Sequence, residues 1–279
     1  MDYYKKQSRF TEIRKQAWII EKIIPDFPFL MRCVKSILIH PIDASRQKVK
    51  FDRSKNGLFH AQNTTVERIL DFPALQPYLD QNILPLATTP QDRAVLSCDH
   101  HALLFASLLR YQGFAVRLKT GFAKYIVKGR LIPHWIVEVY NNKTQNWKWV
   151  DPERCIEDLN KSDFLSIEKC WGLFKNEKEE AIPSYSGLKG MQGIKYGLLS
   201  QVNCIFKNEL LSYEWRLSTY GKEKPEIMKR TYQKLSPEQR SDIEEMAIML
   251  IEPDTNINEL WNFYTKHGLT DGIEKPEIA

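Results

Sequence analysis

The run from Leu103 to Leu109, Leu-Leu-Phe-Ala-Ser-Leu-Leu, leaves this chain little freedom in how it folds. Leu104, Leu108 and Tyr111 recur at helical spacing, and Leu103 and Ala106 to Leu109 widen the apolar stripe over most of the circumference. A helix apolar on so many sides has to be buried, so the pattern predicts a central helix with the core built around it. Its ends are set by local chemistry. Ser97 is expected to cap the N-terminus, its hydroxyl accepting from a first-turn N–H, and Gly113 to stop the helix at C′. Cys98 then falls at the first helical position, where unpaired N–H groups and the helix dipole favour a thiolate, the form that attacks carbonyl carbon. Asp99 adds a favourable charge there. A cysteine in that position is equally at home as a small buried hydrophobe.

The downstream sequence shifts the balance. Val116, Leu118 and Thr120 alternate with Ala115, Arg117 and Lys119, which predicts a half-buried strand, and Gly121 marks a close backbone approach. Lys128-Gly129-Arg130 is a turn into a second strand, where Trp135, Val137 and Val139 alternate against His134, Ile136, Glu138 and Tyr140. That parity puts His134 on the Glu138 face. Asn141-Asn142-Lys143 turns the chain into a third strand, Trp147 to Val150, closed by Asp151, and antiparallel neighbours would bring Asp151 beside His134. Nucleophile, base and orienting carboxylate therefore follow one another in workable order. Taken singly, His134 reads as a satisfied sheet histidine and Asp151 as a turn residue before Pro152.

Cys98-Asp99-His100-His101-Ala102-Leu103-Leu104, the stretch from Leu108 to Phe122, His134-Trp135-Ile136-Val137-Glu138-Val139-Tyr140 and Trp147-Lys148-Trp149-Val150-Asp151-Pro152 together resemble the core of the transglutaminase-like superfamily. The resemblance covers residues 92 to 153. It implies an α+β, papain-like fold, with a nucleophile helix packed on an antiparallel sheet and flanked by N- and C-terminal helices. It also implies a catalytic triad of Cys98, His134 and Asp151, and cysteine-dependent acyl transfer or amide hydrolysis through a thioester. The alternative is a catalytically silent binding module on the same fold, because fold does not fix function. The chain departs from the family pattern at Leu96-Ser97, where glycine is usual, at Trp135, which follows His134 directly, and at Glu153, which replaces a threonine after Asp-Pro.

The neighbours of the triad have mixed readings. Cys98 and His101 share a helical face, so with His134 they could hold a metal, but a thiolate nucleophile would be consumed; no metal or cofactor is expected. His100 and His101 are read as one packing and one capping residue, Glu138 as a polar neighbour of His134, and Trp135, Trp147 and Trp149 as core. Gln91 and Trp18 are candidates for a second oxyanion donor beside the Cys98 N–H.

With 279 residues and 43 % apolar content, the chain can bury a large core. Three parts are expected: 1–91, helical; 92–155, the catalytic core; and 156–279, a C-terminal helical extension that the core needs. No apolar run is long enough for a membrane span, and Met1 to Arg14 lacks an apolar signal segment. The expected location is therefore cytoplasmic. Cys33, Cys98, Cys155, Cys170 and Cys204 are odd in number and read as reduced thiols. A net charge of +5 is modest, so nucleic acid and membrane are not expected partners; a protein, peptide or small amide or ester substrate is. Oligomeric state is left open.

Elsewhere, Phe10, Ile13, Ala17, Ile20 and Ile24 predict an amphipathic helix ended by Pro25, and Asp26 opens a second through Leu38. Ile42 to Asn56, where Arg46, Lys48, Lys50, Arg53 and Lys55 gather around a short Val49–Phe51 alternation, reads as a solvated loop or edge hairpin. Thr64-Thr65-Val66-Glu67 resembles a capping box. Ser162 to Lys175 and Met191 through the region of Trp215 carry helical spacing, with Gly190, Gly193 and Gly197 read as close-packing positions in preference to flexible ones. Ser236-Pro237-Glu238-Gln239 opens one more helix and Gly268 closes the last.

Overall fold

The structure, a computed structural model, describes residues 1–50, 65–86, 88–211, 225–270, 273, 275 and 276. The readings on Phe51, Arg53, Lys55, Asn56, Thr64 and Trp215 lie outside these residues. The chain is an α+β protein whose elements follow from the sequence pattern in most places and from long-range polar contacts in a few.

The central helix spans Cys98–Tyr111, and every residue from Asp99 to Arg110 is buried. It ends as its sequence requires. Gly113 adopts φ +79°; its N–H bonds Arg110 O at 2.9 Å and the N–H of Phe114 bonds Leu109 O at 3.1 Å, the paired closure of a Schellman motif.

Two short strands, β1 (Leu38–Ile39) and β2 (Ala94–Val95), pair in parallel just ahead of that helix. The main sheet contains β3 (Val116–Ala123), β4 (Ile132–Asn141), β5 (Asn146–Val150) and β6 (Phe164–Ser166), in the order β5-β4-β3-β6. All its pairings are antiparallel. Val116, Leu118, Trp135, Val137, Val139 and Val150 share a core cluster with the central helix and with helix Phe27–Ile37. A second cluster gathers Phe122 and Leu165 with the C-terminal helices Gly190–Ile205, Pro237–Met249 and Ile257–Lys266.

Strand β3 is buried along its whole length, not half-buried as alternation suggests. The polar parity carries Arg117 and Lys119, which are matched inside the protein: Arg117 pairs with Glu138 and Asp254, and Lys119 with Glu168 at 3.1 Å. Buried cations are tolerated only when so paired. Where β6 stops pairing, helix Gly190–Ile205 covers the open edge of β3. Gln201 there stands in for a strand, accepting from Thr120 N at 2.7 Å and donating to Leu118 O at 3.2 Å.

The expected helix over residues 10–24 is reduced to Trp18–Lys22. Its backbone is claimed by distant side chains: Ile13 N–H donates to the Tyr111 hydroxyl at 2.8 Å and Lys15 N–H to Glu67 at 3.1 Å. Ser8 and Thr11 hydroxyls bond locally and to Glu209. Helix Phe27–Ile37 forms as expected, with the Asp26 carboxylate accepting from Phe29 N at 2.9 Å. Helix Pro41–Arg46 overturns the loop or hairpin reading for the first residues of 42–56. Thr65, one residue later than the box suggested, caps helix Val66–Leu70. Helix Pro237–Met249 has both arms of its capping box, and Gly268 adopts φ +66°. The segment read as one helix over 162–175 divides into β6 and helix Ile167–Phe174. No described helix is long and apolar enough to cross a membrane.

Candidate active site

The parallel pair β1–β2 fixes the approach to the central helix. Leu96 N–H continues the ladder to Ile39 O at 3.1 Å, so Ser97 and Cys98 emerge beside His40. Ser97 is the N-cap residue but makes no side-chain cap bond. Its hydroxyl donates instead to Asp99 Oδ1 at 2.5 Å, and that carboxylate accepts the His100 N–H at 3.0 Å. The N-terminal turn is thus capped from inside by Asp99. Both histidines brace it: His100 Nδ1 lies 2.9 Å from Asp99 Oδ1, and His101 Nδ1–H donates to Ser97 O at 3.0 Å. Burial drives the His101 pKa down to about 4, so it is neutral.

His134 lies opposite Gly121 near the start of β4. Asp151 follows β5, one step beyond the paired Val137 and Val150, which puts it on the His134 face. A single bridge with Ile156 holds the Asp151 backbone at 2.9 and 3.0 Å. His134 Nε2–H donates to Asp151 Oδ2 at 2.8 Å. The same oxygen accepts from the Tyr125 hydroxyl at 2.6 Å, and Oδ1 accepts the N–H groups of Glu153 and Arg154 at 2.9 and 3.0 Å. Both oxygens are therefore saturated, the carboxylate is fully buried, and only the His134 Nδ1 is left to face the thiol.

Cys98 Sγ and the His134 ring lie within 4.8 Å of each other, close enough for each to influence the other's proton affinity. Burial alone would depress the His134 pKa; Asp151, and then Cys98, reverse this and lift it well above the ordinary histidine value. Asp151 follows the complementary rule. Burial would raise it, but His134, Tyr125 and the Arg154 N–H hold it below the usual carboxylate range. Cys98, half-buried, has its pKa raised by burial, with His134 pulling it back. Of the groups around it, His134 is the one that favours the thiolate.

The remaining expectations divide. Glu138 is not a neighbour of His134; it is bound by Arg117, by the Trp149 indole N–H at 2.8 Å and by Lys119 at 3.5 Å, which bring its pKa down to about 2 against burial. Gln91 is tied to Lys48 and Lys50 backbone, and Trp18 packs beneath Lys22 at the edge of the main core, so neither is at the site. Trp135 and Trp149 are buried core residues, and Trp147 donates to Asp254 at 2.7 Å. All five cysteines are free thiols. His101 does not join Cys98 and His134; among the described residues the third ligand-type group within 4.8 Å of them is Glu153.

Sequence reasoning missed Tyr125 and His40. Tyr125 also stacks edge-on against His134, with ring centroids 6.2 Å apart; nothing in its local sequence sets it apart. His40 couples electrostatically to Glu153 and His134, and burial lowers its pKa. Its Nδ1 accepts from Ile42 N at 3.3 Å, which leaves the proton of the neutral ring on Nε2. The His-Pro pair signals only a chain break.

Scans against protein-family models, curated proteins and solved structures find no match for this chain.

Proposed function

We propose that the protein is a cysteine-dependent acyltransferase or amide hydrolase of transglutaminase-like, papain-like character. The observation that carries this reading is the line Cys98, His134, Asp151, with the His134 ring within 4.8 Å of the sulfur and its Nε2 committed to a saturated Asp151 carboxylate. Bound substrate carbonyl would be attacked by Cys98 Sγ, either as His134 takes the thiol proton or from a thiolate–imidazolium pair already formed. The amine leaves with that proton, and water or an amine resolves the thioester, giving hydrolysis or transfer. Asp151 stabilises the imidazolium formed in between. The Cys98 N–H is one donor to the oxyanion, and the Nε2–H of His40 is our candidate for the second.

The test is peptide-resolved alkylation of each cysteine as a function of pH. Cys98 should react with a half-point set by His134, and His134→Ala should raise that half-point, because burial then acts unopposed. His40→Ala should leave the alkylation profile in place while lowering turnover of any substrate found, since alkylation forms no oxyanion. A Cys98 profile indifferent to His134→Ala would end the enzyme reading in favour of a silent binding module.

A further inference from the structure

Glu153 sits beside the proposed nucleophile with chemistry that acyl transfer does not use. Its side chain is 3 % exposed, and neither carboxylate oxygen has a hydrogen-bond partner. Arg154 Nη2 lies 2.7 Å from Oε1 as a charge partner, which leaves Oε2 uncommitted. A buried carboxylate in that condition is costly unless something charged meets it. It also works against the thiol, since its charge is among the influences raising the Cys98 pKa. With Arg154 meeting only Oε1, the second oxygen, the thiol and the imidazole make a set of groups that one cation can share.

We propose that Cys98, His134 and Glu153 form a zinc(II) site that reversibly masks the nucleophile. The proposal rests on the reading of Cys98 as that nucleophile. One ligand-type atom from each residue lies within 4.8 Å of the other two. Zinc bond lengths of about 2.0 to 2.3 Å put neighbouring tetrahedral ligands roughly 3.5 Å apart, so closing the site takes at most about an ångström of movement between any two of the three groups. The donor set of sulfur, imidazole nitrogen and carboxylate oxygen suits zinc and disfavours calcium and magnesium, which take oxygen ligands. The orientation of His134 suits it too. A metal-bound histidine ordinarily donates its other ring N–H to a carboxylate, and Asp151 already accepts from Nε2 at 2.8 Å, with Tyr125 and two backbone N–H groups behind it. Three protein ligands leave a fourth position for water. On binding, Cys98 gives up its S–H proton and His134 gives up any proton on its ligating nitrogen, Zn–S and Zn–N bonds form in their place, and the protons pass to solvent.

The experiment uses the full chain, reduced and chelator-free. Zinc(II) affinity is measured by competition with a chromophoric chelator. Cobalt(II) is used as a spectroscopic probe for thiolate-to-metal charge transfer and tetrahedral ligand-field bands. Protection of each cysteine from alkylation is read by peptide mass spectrometry. Expected are one tight equivalent, a cobalt–thiolate band, and protection of Cys98 but not of exposed Cys155. Cys98→Ala should abolish the band and Glu153→Gln should weaken zinc at least tenfold. The wild-type protection pattern keeps the test decisive if a variant fails to fold. Zinc binding unchanged in Cys98→Ala or in Glu153→Gln overturns the site, as does His134-dependent alkylation of Cys98 that zinc does not block. That last result leaves the acyl-transfer reading intact. Conversely, a Cys98 profile indifferent to His134→Ala removes that reading, while the cobalt spectrum still decides the metal site on its own.

Discussion

At the scale of single residues, the site is held by groups kept in one protonation state by burial. His101 is the clearest case. Its folded pKa of about 4 lies below the roughly 6.5 of an exposed histidine. Between these values the unfolded chain binds a proton that the folded chain does not, so stability falls as pH falls through that window. The predicted loss between pH 7 and pH 4 is on the order of 3 kcal/mol. Urea midpoints measured across that range should decline in the wild type, and His101→Gln should flatten this component of the decline. An unchanged slope in the variant would mean that His101 is not neutral at the head of the central helix. The histidine pair next to Cys98 was visible in the sequence, but its division of labour was not, because the partners, Asp99 and the Ser97 carbonyl, are chosen by the turn geometry.

At the scale of elements, glycine positions separate close packing from open surface. Gly121 in β3 lies so near β6 that an added Cβ would stand 2.4 Å from Leu165 O and 2.7 Å from the Phe164 ring. A backbone carbonyl within a paired strand cannot swing aside. Gly121→Ala should therefore cost about 2 to 3 kcal/mol and loosen the strand that carries the partner of His134. Gly172, in helix Ile167–Phe174, has nothing within 4 Å of its added Cβ, so Gly172→Ala should stabilise by about 0.5 to 1 kcal/mol through helix propensity and unfolded-chain entropy. Thermal melts of the two variants, moving in opposite directions, check both. Equal effects would show that the β3–β6 contact does not bear on Gly121. The close approach at Gly121 was legible, as were the central helix, the β3–β4–β5 order and the Gln239 capping box, since each is written in local spacing or turn chemistry. The helix expected over residues 10–24 and the two-residue pair β1–β2 were not, because their backbone partners come from far along the chain: Tyr111 and Glu67 for the first, Ala94 and Val95 for the second. Glu153 stood out only as a departure from a pattern; that it reaches Cys98 depends on the Asp151–Ile156 bridge.

At the scale of the whole molecule, the three parts expected from sequence, 1–91, 92–155 and 156–279, meet at one buried carboxylate. Glu209 receives Arg110 of the central helix at 2.6 and 3.0 Å and the Ser8 hydroxyl at 2.6 Å, with both charged side chains fully inaccessible. Arg110 in turn donates to Val116 O at the head of β3 and to the Thr11 hydroxyl. The N-terminal segment, the central helix and the C-terminal helices therefore share a polar cluster that none of them can satisfy alone. Removing one partner of such a pair leaves the other buried and uncompensated, which costs on the order of 3 to 5 kcal/mol. Glu209→Gln should lose that much stability in equilibrium denaturation, with one cooperative transition by both far-ultraviolet circular dichroism and tryptophan fluorescence. A loss below about 1 kcal/mol would mean that Arg110 finds another partner or water. Two separated transitions would mean that the C-terminal helices fold apart from the central helix, and the candidate site would then be complete within a smaller unit than the Glu209 contacts imply.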